Sequence, residues 1–223
     1  MTRTTSAPIR FDYRRYVGEA GHRKLADAAG SLVEGRECEL TVLLADVKSF
    51  TTFSETHTPA EVIAILDVYF DVMVNTVFEY GGAVDKYIGD CVMTIFGAPV
   101  ETADHAKHAV RCAVEIRKRV QSLSSDRKKS GLDAIEVGYA ANTGLAVAGH
   151  IGCAARRDYS VIGDTVNICS RIEDFVHGEA ILVGQNTYTQ VRNIVRARKH
   201  PVTKVKGRAG LVHIYEIMDI NEK

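Results

Sequence analysis

The sequence has no tryptophan, and aromatic residues make up only 7% of its 223 residues. Single-stranded nucleic acids are commonly bound by stacking their bases on aromatic rings, so this scarcity argues against that class of ligand. An excess of positive charge is missing as well, because Lys+Arg and Asp+Glu both total 28. The chain has no overall field to attract nucleic acid or an anionic membrane, and we expect no nucleic-acid partner.

Closely paired cysteines are also lacking. The five cysteines are widely spaced and form no CxxC pair; they are Cys38, Cys91, Cys112, Cys153 and Cys169. Their odd number and spacing argue against a disulfide framework or a zinc site. They fit a reducing compartment, so we expect a cytoplasmic protein whose cysteines are mostly small buried side chains.

No stretch is long and apolar enough to cross a membrane. The most apolar long segment, 62–78, is interrupted by Asp67, Asp71 and Asn75, whereas a spanning helix needs about 20 mostly apolar residues. Residues 1–10 are polar and lack the apolar core of a signal peptide. We therefore expect neither a transmembrane segment nor a secretion signal.

The order of apolar patterns along the chain predicts an α+β fold. Strand-like and helix-like segments follow one another in a mixed order, which favours a ferredoxin-like βαββαβ-type sandwich. A helical lead-in is predicted at 11–34, and residues 1–10 are expected to be disordered. The predicted strands are 39–46, 83–88, 91–96, 135–143, 145–150, 159–162, 180–183, 202–206 and 211–218. The predicted helices are 58–80, 104–123, 165–175 and 185–195, with a shorter helix opening at 49–55 and a polar loop at 122–131.

Two local patterns fix element boundaries. Thr58 precedes Pro59, and Glu61 completes a capping box, which predicts a helix start. The Gly89-Asp90 pair between two apolar runs predicts a β-hairpin. The residues predicted to share one face of the helix after Thr58 are Ile63, Leu66, Phe70, Val74 and Val77.

Two aspartates stand beside apolar strand sequence. Asp46 follows the run 40–45, and Asp90 lies within 84–97. A carboxylate next to buried apolar strands is costly to desolvate unless its charge is offset. Two such groups brought together would form a hard-oxygen site for Mg²⁺ or Mn²⁺. Taken singly, each aspartate could instead cap a helix or lie in a solvated turn.

Other polar residues point to phosphate and sugar chemistry. Asn167 and Arg171 are four residues apart on a predicted helix and so share a face. An amide and a guanidinium on one face suit a sugar and a phosphate. Lys86 lies four residues before Asp90 in the hairpin. Each of these features alone is also compatible with an ordinary surface residue.

Together, three blocks at 45–51, 86–90 and 160–171 resemble the catalytic domain of the class III nucleotidyl cyclases. The resemblance covers about residues 37–218 and includes 149–152 and the arm that follows it. It implies a catalytic domain at 37–220. Residues 1–36 resemble the segment that links such domains to an upstream sensor. We expect no sensor domain within this sequence.

The resemblance implies that the protein converts a nucleoside triphosphate into a 3′,5′-cyclic nucleotide and pyrophosphate. Asp46 and Asp90 match the residues that hold two Mg²⁺ or Mn²⁺ ions, with the carbonyl of Val47 as a further ligand. Asn167 matches the residue that orients the ribose, and Arg171 the one that stabilises the α-phosphate. The residues implied in phosphate or substrate binding are Arg156, with Arg157 as its competitor, Lys206, Phe50 and Thr51.

The resemblance also implies which residues select the base and how the site is assembled. Lys86 can donate to adenine N1, where guanylate-type members carry Glu, so it favours ATP. Ser160 replaces the usual Asp or Thr, which leaves guanosine and pyrimidine triphosphates open as substrates. Metal-binding and nucleoside-binding residues come from different subunits in this family, which predicts a homodimer with two shared sites. An inert dimerisation or nucleotide-sensing domain is the remaining alternative.

Overall fold

The computed structural model describes residues 13–27, 35–153, 155–200, 203–204 and 211–221. The predicted disorder of 1–10 and the predicted phosphate ligand Lys206 lie outside these residues. Within them the helices are α1 (Arg14–Asp27), α2 (Phe50–Thr56), α3 (Pro59–Glu79), α4 (His105–Lys129), α5 (Asp164–Glu173) and α6 (Gln185–Val191). The strands are β1 (Arg36–Lys48), β2 (Ala83–Ile88), β3 (Cys91–Phe96), β4 (Glu136–Cys153), β5 (Arg156–Ile162), β6 (Ile181–Gly184), β7 (Val195–Lys199), β8 (Thr203–Lys204), β9 (Leu211–Val212) and β10 (Ile214–Ile220).

A mixed sheet forms the centre of the fold. Its order is β2-β3-β1-β4-β6-β10-β7, and β5 pairs with β4 outside this path. The β4–β6 pair is parallel, whereas β1 is antiparallel to both β3 and β4. Helices between antiparallel strands confirm the predicted α+β class.

Both faces of the sheet are covered. Along β1, Leu43 and Ala45 pack into the core with α3 and α4. Leu40, Val42 and Leu44 point to the opposite face and pack with α1 and α5. This alternation follows from the two-residue period of a strand. Among the described residues, no helix combines the length and apolar character needed to cross a bilayer.

The two strongest local predictions are confirmed. The capping box is present: Glu61 accepts from the backbone N–H and the hydroxyl of Thr58, both at 2.8 Å. The hairpin strands have the predicted bounds. Gly89 has φ +62° in the turn, a conformation that glycine adopts without steric cost.

Several predicted boundaries are wrong because tertiary pairing overrides local composition. The two strands expected at 135–143 and 145–150 are the single strand β4, which pairs with β1 on both sides of Gly144. The expected loop at 122–131 is largely the end of α4. The helix expected at 185–195 ends at Val191, and the basic segment after it pairs with β10 as β7.

The predicted apolar face of α3 is correct at Leu66, Phe70, Val74 and Val77 and wrong at Ile63. Ile63 is 59% exposed, while Ile65, Tyr69 and Met73 are buried. The Tyr69 hydroxyl is paired with Ser124 at 2.7 Å and accepts from a backbone N–H at 3.1 Å. A tyrosine whose hydroxyl is satisfied in this way can be fully buried, so the buried face includes Tyr69 beside the predicted residues.

The capping box gives a direct test of helix stability. Thr58→Ala should lower the free energy of unfolding by about 1 kcal/mol, because the N–H of Glu61 and the Glu61 carboxylate each lose a partner. Urea denaturation measures this change. Ser125→Ala, at an exposed position of α4, is the matched control and should change stability by less than about 0.5 kcal/mol. Equal effects of the two substitutions would contradict the capping role.

Candidate active site

The antiparallel pairing of β1 with β3 brings the two predicted metal ligands together. Asp46 lies opposite Cys91, the residue that follows Asp90. Burial raises the pKa of Asp90, and the nearby charge of Asp46 raises it further, while Lys48 acts in the opposite direction. β1 continues two residues past Asp46, so this carboxylate lies near the strand end and not at its last residue.

A third carboxylate and a lysine belong to the same cluster. Lys48 Nζ lies 3.2 Å from Asp46 Oδ2 and 2.5 Å from Glu173 Oε1. Burial opposes the charge of Lys48, but its contacts with Glu173 and Asp46 prevail and raise its pKa. Burial raises the pKa of Glu173, and the charge of Asp46 adds to this effect. Gly138 leaves room for the lysine, because a Cβ there would collide with the Lys48 stem.

The carboxylate pair fits a divalent cation. Oxygen atoms such as those of carboxylates are the ligands that Mg²⁺ and Mn²⁺ prefer, and Asp46 lies opposite the residue that follows Asp90, close enough for its charge to raise the pKa of Asp90. No group of three or more His, Cys, Asp or Glu side chains that could hold a metal occurs among the described residues. Two carboxylates leave most coordination positions to other oxygens, and Mg²⁺ commonly takes those from water and substrate phosphates.

The two predicted base-selecting residues are in contact. Lys86 Nζ donates to Ser160 Oγ at 2.8 Å, which joins β2 to β5. Ser160 donates in turn to Asp85 Oδ2 at 3.1 Å, and Lys86 Nζ lies 3.2 Å from the same oxygen. Asp85 is fully buried, whereas about half of the Lys86 side chain is exposed. Lys86 can therefore meet a ligand while the other two groups support it.

Helix α5 presents the predicted ribose and phosphate residues. Asn167 is exposed and Arg171 is half-buried, one helical turn apart. Neither side chain has a hydrogen bond or ion pair to another group in the described part of the chain, so both remain available to a ligand. The same helix carries Glu173, which ties its end to Lys48.

The remaining predicted site residues lie at the edges of these clusters. Arg156 begins β5 and pairs with Asp158 at 3.2 Å in an exposed position. Phe50 begins α2 and packs against the core, and Thr51 beside it is exposed. The side chain of Val47 is buried, which leaves only its main-chain carbonyl to act as a ligand.

Comparison with known proteins identifies the family. The family model for the adenylate and guanylate cyclase catalytic domain matches residues 33–219. The chain belongs to this family. The cyclase domain is 35% identical over 184 residues to adenylate cyclase 1 of Rhizobium meliloti and 34% identical over 190 residues to an adenylate cyclase of Anabaena cylindrica. The aligned parts cover 82% and 80% of this chain but only 28% and 36% of those relatives.

Solved structures agree with the family assignment. The cyclase domain matches the adenylyl cyclase CyaB from P. aeruginosa with a TM-score of 0.80 and 32% identity, covering 84% of this chain and 97% of that one. It matches the guanylyl cyclase Cya2 with the same TM-score and identity, covering 84% and 95%. Because an adenylyl and a guanylyl cyclase match equally well, the likeness fixes the reaction class and leaves the base open.

Three residues of the cyclase site were missed at the level of sequence. Lys48 lies within the block that contains Asp46, Asp85 directly precedes the block that begins at Lys86, and Glu173 lies two residues after Arg171. Their charges could have drawn attention to them. Strand alternation, however, predicts that Asp85 points away from Lys86, and no sequence pattern shows that Glu173 reaches β1.

The lysine in the carboxylate cluster should contribute a pH-dependent stability. Lys48→Met removes the cation between Asp46 and Glu173 and should lower the free energy of unfolding at pH 7.5 by about 1–3 kcal/mol. The native pKa of Glu173, already raised by burial, then rises further. Glu173 then binds a proton more tightly in the native state than in the unfolded state. The loss of unfolding free energy caused by Lys48→Met should therefore be smaller at pH 5.5 than at pH 7.5. Urea denaturation at both pH values measures it.

A surface lysine supplies the control. Lys129 pairs with Asp126 at 3.1 Å, and both side chains are about 70% exposed. Lys129→Met should change stability by less than about 1 kcal/mol at either pH. A Lys48→Met loss that is equally small, or that does not depend on pH, would show that the carboxylates do not depend on this lysine.

Proposed function

We propose that this cyclase domain is an adenylate cyclase that converts ATP into 3′,5′-cyclic AMP and pyrophosphate in a homodimer. Residues 37–220 are the proposed catalytic domain, and residues 1–36 the lead-in. The contact between Lys86 and Ser160 carries the proposal. The Lys86 ammonium can donate a hydrogen bond to adenine N1, which is an acceptor. Guanine has an N1–H donor at that position, so two donors would face each other. The relatives named adenylate cyclase support the same substrate.

The proposed reaction joins the ribose 3′-oxygen to the α-phosphorus. The 3′-hydroxyl gives its proton to solvent, and the new P–O bond forms. The bond between the α-phosphorus and the oxygen that bridges it to the β-phosphate breaks, and pyrophosphate leaves with that oxygen. Asp46, Asp90 and the carbonyl of Val47 would hold two divalent cations. Mg²⁺ or Mn²⁺ bound there would lower the pKa of the hydroxyl and offset the charge of the triphosphate.

The other proposed site residues position the substrate. Asn167 orients the ribose, and Arg171 stabilises the charge that develops on the α-phosphate; neither side chain bonds to another group among the residues that the structure describes. Loss of such a preorganised donor typically lowers the rate by about 10²–10³-fold. The terminal phosphates are assigned to Lys206, and Arg156 is assigned to phosphate binding. Phe50 and Thr51 border the substrate at the start of α2.

A second copy of the chain is needed in this proposal. The metal carboxylates of one protomer act with Lys86, Ser160 and α5 of its partner, as the family resemblance implies. An exposed apolar patch supports an interface, since Val147 and Ile162 lie opposite each other on β4 and β5 and are 43% and 58% exposed. Leu145, which lies on β4 like Val147, is 59% exposed. Contiguous apolar surface of this kind commonly marks an interaction site.

Cytidine triphosphate is the second candidate substrate. Cytosine presents an acceptor at N3 and an amino donor at N4, the same pattern as N1 and the 6-amino group of adenine. The short Ser160, in place of Asp or Thr, is the observation that keeps this candidate. Both candidates agree with Lys86 as a donor and exclude a base with N–H at that position.

Product identification tests the substrate. The protein is incubated with equal amounts of ATP, GTP, CTP and UTP and with Mn²⁺, and cyclic products are identified by mass spectrometry. Cyclic AMP should be the main product, and the Asp46→Ala variant should form none. Cyclic CMP as the main product would favour the second candidate. Cyclic GMP or cyclic UMP would contradict the role given to Lys86.

Mixing two inactive variants tests the shared site. Asp46→Ala removes the metal half, and Asn167→Ala removes the nucleoside half. When equal amounts of the two variants mix at random, about half of the dimers contain one chain of each variant. Each mixed dimer has one intact site out of two, so about a quarter of wild-type activity should return. Asp46→Ala mixed with Asp90→Ala is the control, because both changes damage the same half. No recovery despite proven mixed dimers would contradict sharing between protomers.

A further inference from the structure

An irregularity in β2 places Asp85 beside Lys86. Val84 pairs with Thr94, but Lys86 pairs with the adjacent Met93, so Asp85 is an extra residue in the strand. Neighbouring side chains of a regular strand point to opposite faces, whereas a bulge can re-aim one of them. Here the Asp85 carboxylate lies 3.2 Å from the ammonium of Lys86.

The hydrogen bonds of this trio have only one possible direction. An ammonium can only donate, and a carboxylate can only accept. Ser160 Oγ contacts both, at 2.8 Å from Lys86 Nζ and 3.1 Å from Asp85 Oδ2. The serine hydroxyl must therefore accept from Lys86 and give its single proton to Asp85. It has only a lone pair left to offer to a ligand.

This direction requires Asp85 to be ionised. Burial raises the pKa of Asp85, while Lys86, the Ser160 hydroxyl and the backbone of Val161 lower it. The Lys86 ammonium, 3.2 Å from Oδ2, favours the ionised carboxylate. As a carboxylate, Asp85 accepts a hydrogen bond from the Ser160 hydroxyl, which keeps its proton.

Asp85 acts through Ser160 and not by touching the base. Its side chain has no exposed surface. Its second oxygen, Oδ1, is buried and has no hydrogen-bond partner among the described residues. A buried carboxylate with an unpaired oxygen lowers the stability of the fold. The orientation of the Ser160 hydroxyl therefore explains the presence of Asp85 better than a stabilising role does.

We infer that Asp85 is a positioning residue for base selection, because it makes Ser160 an obligate acceptor toward the bound base. The inference rests on the proposed function, which places the base at Lys86 and Ser160. A base that carries an amino group there, as in ATP or CTP, is accepted. A base with a carbonyl at the same position meets a lone pair and is rejected. Asp85 thereby gives Ser160 the acceptor-only character that an aspartate at position 160 would have by itself.

The decisive variant is Asp85→Asn, which keeps the size of the side chain. Its amide nitrogen can donate to Ser160, and the serine proton is then free to point toward the base. ATP and inosine triphosphate compete in one reaction, so that the ratio of their kcat/KM values does not depend on the amount of folded enzyme. Inosine carries a carbonyl where adenine carries its amino group. The preference for ATP should fall by about tenfold or more.

Two further variants separate this effect from general damage. In a Ser160→Ala background, Asp85→Asn should leave the ratio unchanged within about twofold, because the group that it reorients is gone. Tyr69→Phe removes a buried hydroxyl with two hydrogen bonds on the other face of the sheet. It should lower stability and leave the ratio unchanged.

A measurement on the wild type covers the case in which Asp85→Asn does not fold. Purine riboside triphosphate lacks the 6-amino group and keeps the N1 acceptor. If Ser160 accepts from that amino group, kcat/KM should fall by about tenfold relative to ATP, and inosine triphosphate should be poorer still. A loss of less than twofold would overturn the inference.

The outcomes separate this inference from the proposed function. A wild-type enzyme that prefers inosine triphosphate to ATP would refute adenylate cyclase activity, whatever the variants do. A wild-type preference for ATP that Asp85→Asn leaves within twofold would overturn the role of Asp85 alone. An equal fall in the presence and absence of the Ser160 hydroxyl would also overturn it, because the effect would not pass through Ser160.

Discussion

Negative charge concentrated where strand β1 ends and strand β3 begins, beside an apolar sheet, is the constraint on which the rest of this structure depends. Asp46, Asp90 and Glu173 meet there, and Lys48 is the cation that the described chain supplies to them. Such a cluster is unfavourable for folding and favourable for binding cations that bring phosphate oxygens with them. The strand pairing, the tight hairpin turn and the end of α5 are arranged so that these groups converge.

The proposed nucleoside side of the site is built differently. There a single carboxylate, Asp85, is fully buried and directs the protons of Lys86 and Ser160. The first cluster concentrates charge, and the second fixes the direction of hydrogen bonds. A cyclase needs both, because phosphate chemistry requires charge compensation whereas the choice of base depends on which groups donate and which accept.

Local sequence patterns predicted much of this architecture. The hairpin and the capping box of α3 followed from turn and capping chemistry that acts over a few residues, and the α+β class followed from the order of apolar patterns along the chain. That Asp46 and Asp90 belong to one site was implied by the family resemblance, and the β1–β3 pairing brings them close together. Long-range effects were not predictable: Gly144 does not interrupt β4 because β1 pairs across it, and the bulge at Asp85 reverses the alternation that the sequence implies. Most residue roles in the site came from the family resemblance and remain predictions.

The central claim is that one protomer holds the cations while the other holds the nucleoside. Crystals grown with Mn²⁺ and a noncyclisable ATP analogue test it most directly, through the anomalous scattering of manganese. The account predicts two manganese peaks at Asp46 and Asp90 of one protomer, with the adenine of the same nucleotide against Lys86 and Ser160 of its partner. Carboxylates without manganese, or a base bound by the protomer that holds the metals, would contradict it.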